Sequence, residues 1–291
     1  MGYLPARAIL GIWVLIGLTG CSVTRKIAVG QMVPILENAA AGARESRDLD
    51  LVEQGLPANL LLLDGMIRTD PKNRDLLAIG AFMYFSYALG FAEPKGPELA
   101  SHYYGVGRDY GLRALDRRRQ FERRRRGSLE DFERALQSLG RRDVPALAWA
   151  AANWGRWISL NLESPAAIAQ QPRLAAMLAR LLELEPAYEA GLGHVLLGMY
   201  DAMRPEMFGG KPDSAYVHFQ KAFEISERKN LLYLVFYAEF YCRQVLDVEC
   251  FDATLDEVAA AAGDLAPEFR LMNEMARRRA ERLRALRDEL F

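Results

Sequence analysis

From Gln31 onward the apolar residues recur every three or four positions and almost nowhere alternate in the two-residue rhythm of a strand. In LLLLDGMIRTDP, Leu60, Leu63 and Ile67 fall on one side of a helix, and in LARLLELEP, Leu178, Leu181 and Leu182 do the same. The pattern predicts an all-α chain, read as one domain over residues 31–291. Pro71, Pro94, Pro186 and Pro212 mark helix stops, and Asp143, two residues before Pro145, is placed to cap the following helix. Four segments carry aromatic residues on more than one side: FMYFSYALGF (82–91), WAAANWGRWI (149–158), HVLLGMYDAM (194–203) and LLYLVFYAEFYC (231–242). A helix apolar all round must be covered on both sides, by core or by an apolar ligand. Core packing accounts for most of these rings. On the ligand reading, Tyr84, Tyr87, Asn153, Trp154 and Tyr200 are the candidates, because they offer a polar tip within an apolar setting.

An internal echo appears at an offset of 115 residues. Asp70-Pro71 aligns with Glu185-Pro186, Pro97 with Pro212, Ala100 with Ala215, Tyr104 with Phe219 and Gly107 with Ala222. The copies run over about 60–115 and 175–230. Small, aromatic and small residues at spacings of four and three are the tetratricopeptide pattern: the small positions let a neighbouring helix approach while the aromatic fills the gap. Self-similar helical hairpins predict a tetratricopeptide-like α-solenoid, degenerate because the loops AEPKGP and RPEMFGGKP are long for a regular repeat. GVGRDYG (105–111), inside the first copy, therefore reads as packing. Its third glycine comes one residue late for a dinucleotide finger, and the preceding ELASHYY is helical. Arg108 and Asp109 are expected to pair at a repeat junction or protomer contact and so to serve assembly.

The N-terminus differs in kind. AILGIWVLIGLTG (8–20) is an apolar run of 13 residues behind the lone charge of Arg7, too short to span a bilayer at ~20 residues but suited to the core of an export signal. LTGC (18–21) resembles the bacterial lipobox, which makes residues 1–20 the signal, Cys21 the lipidated residue and 21–30 a tether. A plain cleaved signal with an incidental cysteine is the other reading. Export with a lipid anchor faces the chain to the periplasm, and Ser22 after the cysteine points to the outer rather than the inner membrane. Cys242 and Cys250 then lie where disulfides persist, either bridging a helical hairpin or as two half-buried thiols.

Composition removes several alternatives. Lys plus Arg number 37 against 38 Asp plus Glu, so no net field attracts nucleic acid. The Arg-rich stretch 116–143 is read as a helix end, a loop and a return helix over about 129–139, with a headgroup or partner patch as the sharper alternative. In the last helix Met275, Ala276, Leu283 and Leu286 are expected to face inward. His102, His194 and His218 stand singly, without metal-ligand spacing, and GxSxG is absent. GGKP (209–212) fails as a phosphate loop at both ends. No metal, cofactor or catalytic set is expected, and the chain is not read as an enzyme.

GFAEPKGPELASHYYGVGRDYGLRAL, WAAANWGRWISL, LLELEPAYEAGLGHVLLGMYDAMRPEMFGGKPDSAYVHFQKAFEIS, YAEFYC and LMNEMARRRAERL together resemble the T-component (TatT) lipoproteins of tripartite ATP-independent periplasmic (TRAP) transporters. The resemblance runs from about residue 20 to the C-terminus. It implies a lipoprotein that assembles as a homotrimer around a pore and docks the periplasmic solute-binding protein of such a transporter. It also implies a cleft or tunnel in each protomer for a small hydrophobic ligand. RPEMFGGKP, with Phe208, would then face the ligand path. The competing reading is a solenoid scaffold lipoprotein that binds a peptide or an envelope protein and no small molecule.

Overall fold

A computed structural model describes residues 6–204 and 206–291, with side chains from residue 24 on except that of Phe208. Every regular element among them is helical. In order they are α1 (Ala6–Arg44), α2 (Leu49–Thr69), α3 (Arg74–Tyr87), α4 (Pro97–Leu115), α5 (Arg119–Arg124), α6 (Leu129–Leu136), α7 (Val144–Ser159), α8 (Pro165–Ile168), α9 (Gln171–Leu184), α10 (Leu192–Ala202), α11 (Pro212–Ser226), α12 (Leu231–Phe236), α13 (Val248–Ala260), α14 (Arg270–Ala285) and α15 (Arg287–Leu290). Helices α3 and α12 each widen into a π turn, Ala88–Ala92 and Tyr237–Cys242. The stretch expected as a tether, residues 21–30, belongs to α1.

Several starts follow from local chemistry. The Asp48 carboxylate accepts from the Leu51 N–H at 2.9 Å to open α2, Asn73 caps α3, and Asp247 accepts from the Cys250 N–H at 2.8 Å to open α13. Ser128 and Asp131 form a capping box that starts the return helix α6. Pro212 opens α11 just as Pro97 opens α4, because at the first helical position the missing N–H costs nothing. It is a start and not the stop read from the sequence. Asp143 does not cap α7 with its side chain either; its carboxylate accepts from the Gly140 N–H and from Arg118, each at 2.9 Å.

Helix α4 lies between α3 and α7, and α10 packs on α11. Ala100, Tyr104 and Gly107 are buried in the first hairpin, and Ala215, Phe219 and Ala222 in the second. The glycines of α4 explain the closeness of α7. A Cβ on Gly107 would meet the Asn153 amide, and one on Gly111 would come within 2.6 Å of the Ala150 Cβ and 2.9 Å of its Cα. Gly105, the first of the three, has only ordinary contact with Trp157. The span Arg74–Lys95 is long and apolar enough to cross a membrane, but it is mostly buried within the protein.

Helices α12, α13 and α14 close the chain, with Cys242 and Cys250 joined by a disulfide whose Cα atoms lie 5.6 Å apart. On α14, Ala276 and Leu283 are buried, whereas Leu286 lies at the helix end and is exposed, contrary to the inward face read for it. In the Arg-rich stretch Phe121 and Phe132 are the buried anchors, and Arg125 pairs with both oxygens of Asp116.

Candidate ligand groove

Helices α1, α2, α3 and α14 border an apolar groove. Leu36, Ala39, Ala40 and Ala43 of α1 form one side, and the three alanines leave the space beneath the helix unfilled. Val52 and Leu56 of α2 and Leu271 and Met272 of α14 form the flanks. The floor is aromatic. Trp149 of α7 has Phe82 and Phe85 of α3 against it, with ring centroids 4.8 and 5.4 Å away. Phe82 and Phe85 are three residues apart, which places both rings on one side of α3. The Arg44 guanidinium stands 4.3 Å over the Phe82 ring and is held there by Glu189 at 3.1 Å. Glu189 sits in a left-handed stretch with Ala190 and Gly191, which brings its carboxylate back toward α1.

The groove continues at both ends. Ala40, Arg44, Phe82 and Trp149 also border an outer, more open space beside Glu37, Asp75, Tyr188 and Glu189. Burial and then the neighbouring Glu189 charge push the Tyr188 phenol up. At the other end Leu89, Leu232 and Met275 are shared with a space bordered by Lys95, Arg278, Arg279 and Arg282. Met275 lies against Gly90 of the first π turn, where any Cβ would collide with its methyl group. That flexible thioether therefore stands between the apolar waist and the cationic mouth.

Behind this mouth is a buried ionic cluster. Glu93, just past the first π turn, accepts from Arg156 Nε at 2.9 Å, Arg279 Nη1 at 2.6 Å and the Tyr104 hydroxyl at 2.6 Å. Arg279 also donates to both oxygens of Glu239, which lies in the second π turn, at 2.6 and 2.8 Å. Burial alone would raise the Glu93 carboxyl, but Arg156, Arg279 and the Tyr104 O–H outweigh it and hold the group at about 2. The cluster thus ties α7 and α14 to the ends of α3 and α12, with Glu93 as its centre.

The residues chosen from the sequence do not converge on this groove. Tyr84 and Tyr110 both donate to Asp64, at 2.8 and 2.7 Å, and Tyr87 stands edge-on to Tyr103, so the tyrosines of α3 pack toward α4 and α2. Asn153 is fully buried, donating to the Ala81 and Trp149 carbonyls at 2.8 and 2.7 Å, and its Oδ1 has no partner among the described residues. Trp154 donates to Gln170 at 2.7 Å and meets Phe132 edge-on. Tyr200 borders a separate small pocket between α7, α9 and α10. The Phe208 side chain and the side chain of Cys21 lie outside the described residues, as do residues 1–5 altogether. Arg108 pairs with its neighbour Asp109 at 2.9 Å and stacks over Trp157 at 4.9 Å.

The groove residues that sequence reasoning missed are Phe82, Phe85, Trp149, Met272 and Met275. A search for polar tips passes over them, and their common signal was the run of rings three apart in FMYF together with Trp149 at the head of WAAANW. Two histidines that looked isolated meet across α10 and α11, His194 and His218, with Nδ1 atoms 3.0 Å apart. Burial depresses the basicity of both. Among the described residues no group of three or more His, Cys, Asp or Glu side chains is placed to hold a metal ion.

The family model described as TRAP transporter T-component matches residues 45–291 of the chain. That span begins directly after α1 and takes in the other helices bordering the groove. No curated protein gives a significant match.

Proposed function

The chain belongs to the TRAP transporter T-component family, and from that premise we propose that it is a periplasm-facing, lipid-anchored accessory subunit that accepts a small apolar ligand from, or hands it to, the solute-binding protein of its transporter. Cys21 carries the lipid, the anchor lies in the outer membrane, and the subunit acts as a homotrimer. A membrane-associated or periplasmic location follows from the family, which is a transporter component and not a family of enzymes. The observation that carries the reading is the aromatic-floored groove under α1, open at both ends, which buries an apolar molecule at its waist while leaving two ways in. Helix α1 runs into the same polypeptide stretch that bears Cys21, so the roof of the groove and the anchor are one element.

Native mass spectrometry of the purified full chain tests the reading. Wild type is expected to carry an adduct of apolar character, and Trp149→Arg, which places a charge on the groove floor, is expected to lose it while keeping its helical circular dichroism. An adduct that persists unchanged in the variant puts the ligand elsewhere.

A further inference from the structure

The two ends of the groove differ in charge. At the outer end three carboxylates, Glu37, Asp75 and Glu189, meet two cations, Arg74 on Asp75 and Arg44 on Glu189, among the described residues. At the other end five cations, Lys95, Arg156, Arg278, Arg279 and Arg282, meet four carboxylates, Asp50, Glu53, Glu93 and Glu239. Four of the cations are committed. Lys95 pairs with Glu53 at 2.6 Å, Arg278 with Asp50 at 3.3 Å, and Arg156 and Arg279 belong to the buried cluster. Arg282 is left. It is half-buried on α14, one turn beyond Arg278, and its side chain makes no hydrogen bond or ion pair among the described residues. Burial and then the adjacent Arg279 charge act against its guanidinium, and the Glu93 and Glu239 charges, each already bonded to other guanidinium groups, offset this only in part.

The cationic space and the apolar waist share Leu89, Leu232 and Met275, so one molecule can occupy both. We propose that the site holds a single-chain anionic amphiphile, with its carboxylate-type head on Arg282 and its alkyl or aryl tail on the Phe82–Phe85–Trp149 floor. One surplus positive charge fits one negative charge, and the planar guanidinium donates two parallel hydrogen bonds to a carboxylate. The acidic outer end disfavours the reverse orientation. This inference rests on the groove being the ligand path and adds the ligand's chemical class and polarity.

The test uses the full chain in lipid nanodiscs with decanoate carrying a photoreactive diazirine at its tail end, beside the decanol analogue with the same tail. Mapping of the labelled peptides is expected to place the decanoate tail on α1, α3 and α14. Labelling at a given concentration should be about tenfold weaker for the alcohol and for Arg282→Gln, and should recover in large part in Arg282→Lys. Arg284→Gln, on the same helix but outside the groove and paired with Asp256, is expected to change labelling about twofold or less and serves as the folding control. Equal labelling by acid and alcohol, or wild-type labelling in Arg282→Gln, overturns the head-group assignment and leaves the apolar groove standing. Failure of both probes to label the groove overturns the groove reading and this inference with it.

Discussion

Replacing Glu93 by Gln isolates the contribution of the buried cluster. The amide keeps the shape of the carboxyl and can still accept from Tyr104, but it removes the only carboxylate bonded to Arg156 among the described residues, and the Arg156 side chain is 5% exposed. Arg279 keeps Glu239, so the cost falls on one guanidinium. Breaking a buried ion pair on one side costs about 3–5 kcal/mol. The same figure follows from the carboxyl itself: holding it at about 2, against 4.5 in an open chain, corresponds to ~3 kcal/mol of stability at neutral pH. For a domain of this size that amounts to a fall in Tm of roughly 6–15 °C. Because the folded-state value is depressed, the stabilisation is present above pH ~4.5 and disappears as pH falls toward 2. Wild type should therefore converge on Glu93→Gln by ~2 kcal/mol between pH 6 and pH 3. Thermal unfolding followed by circular dichroism at a series of pH values reads both effects. A Tm within 2 °C of wild type at pH 7, or a difference that stays constant down to pH 3, would refute the reasoning.

Three further outcomes are expected. Gly111→Ala should lower stability by about 1–3 kcal/mol in urea unfolding because its methyl group meets the Ala150 backbone, whereas Gly105→Ala in the same helix should be neutral or gain up to ~1 kcal/mol from helix propensity. Equal effects at the two positions would remove the close-approach explanation. Converting Cys242 and Cys250 together to Ser should lower stability by about 2 kcal/mol, and adding reductant to wild type should reproduce the loss. Arg108→Ala should shift the particle mass measured by light scattering toward the monomer while leaving ligand labelling of the groove intact; the opposite pair of results places Arg108 in the site.

Helical periodicity and the repeated small–aromatic–small trios made the all-α architecture readable, because burial on a helix leaves a stripe in the sequence and close packing leaves glycine and alanine. Gly107, Ala222 and the rest of those trios are buried where the sequence alone suggested packing. The groove was not readable in the same way. Trp149, Phe82 and Phe85 look like core residues, and the difference between a ring that packs on another ring and one that borders space lies in where α1 and α14 come to rest, both distant from these rings in the sequence. Choosing side chains with polar tips selected Tyr84 and Trp154, whose hydroxyl and indole N–H are satisfied by Asp64 and Gln170 inside the fold. The ionic cluster was equally hidden. Glu93, Glu239, Arg156 and Arg279 are far apart in sequence, and each resembles an ordinary charge on a helix until three-dimensional packing buries all four.

The most direct measurement is transfer. A solute-binding protein of the same transport system, loaded with an isotope-labelled anionic amphiphile, is mixed with the full chain in nanodiscs and the two are separated. The account predicts that label moves to wild type and that Trp149→Arg, folded and in the same oligomeric state, receives none. Transfer to the variant at the wild-type level, or no transfer to wild type, would contradict it.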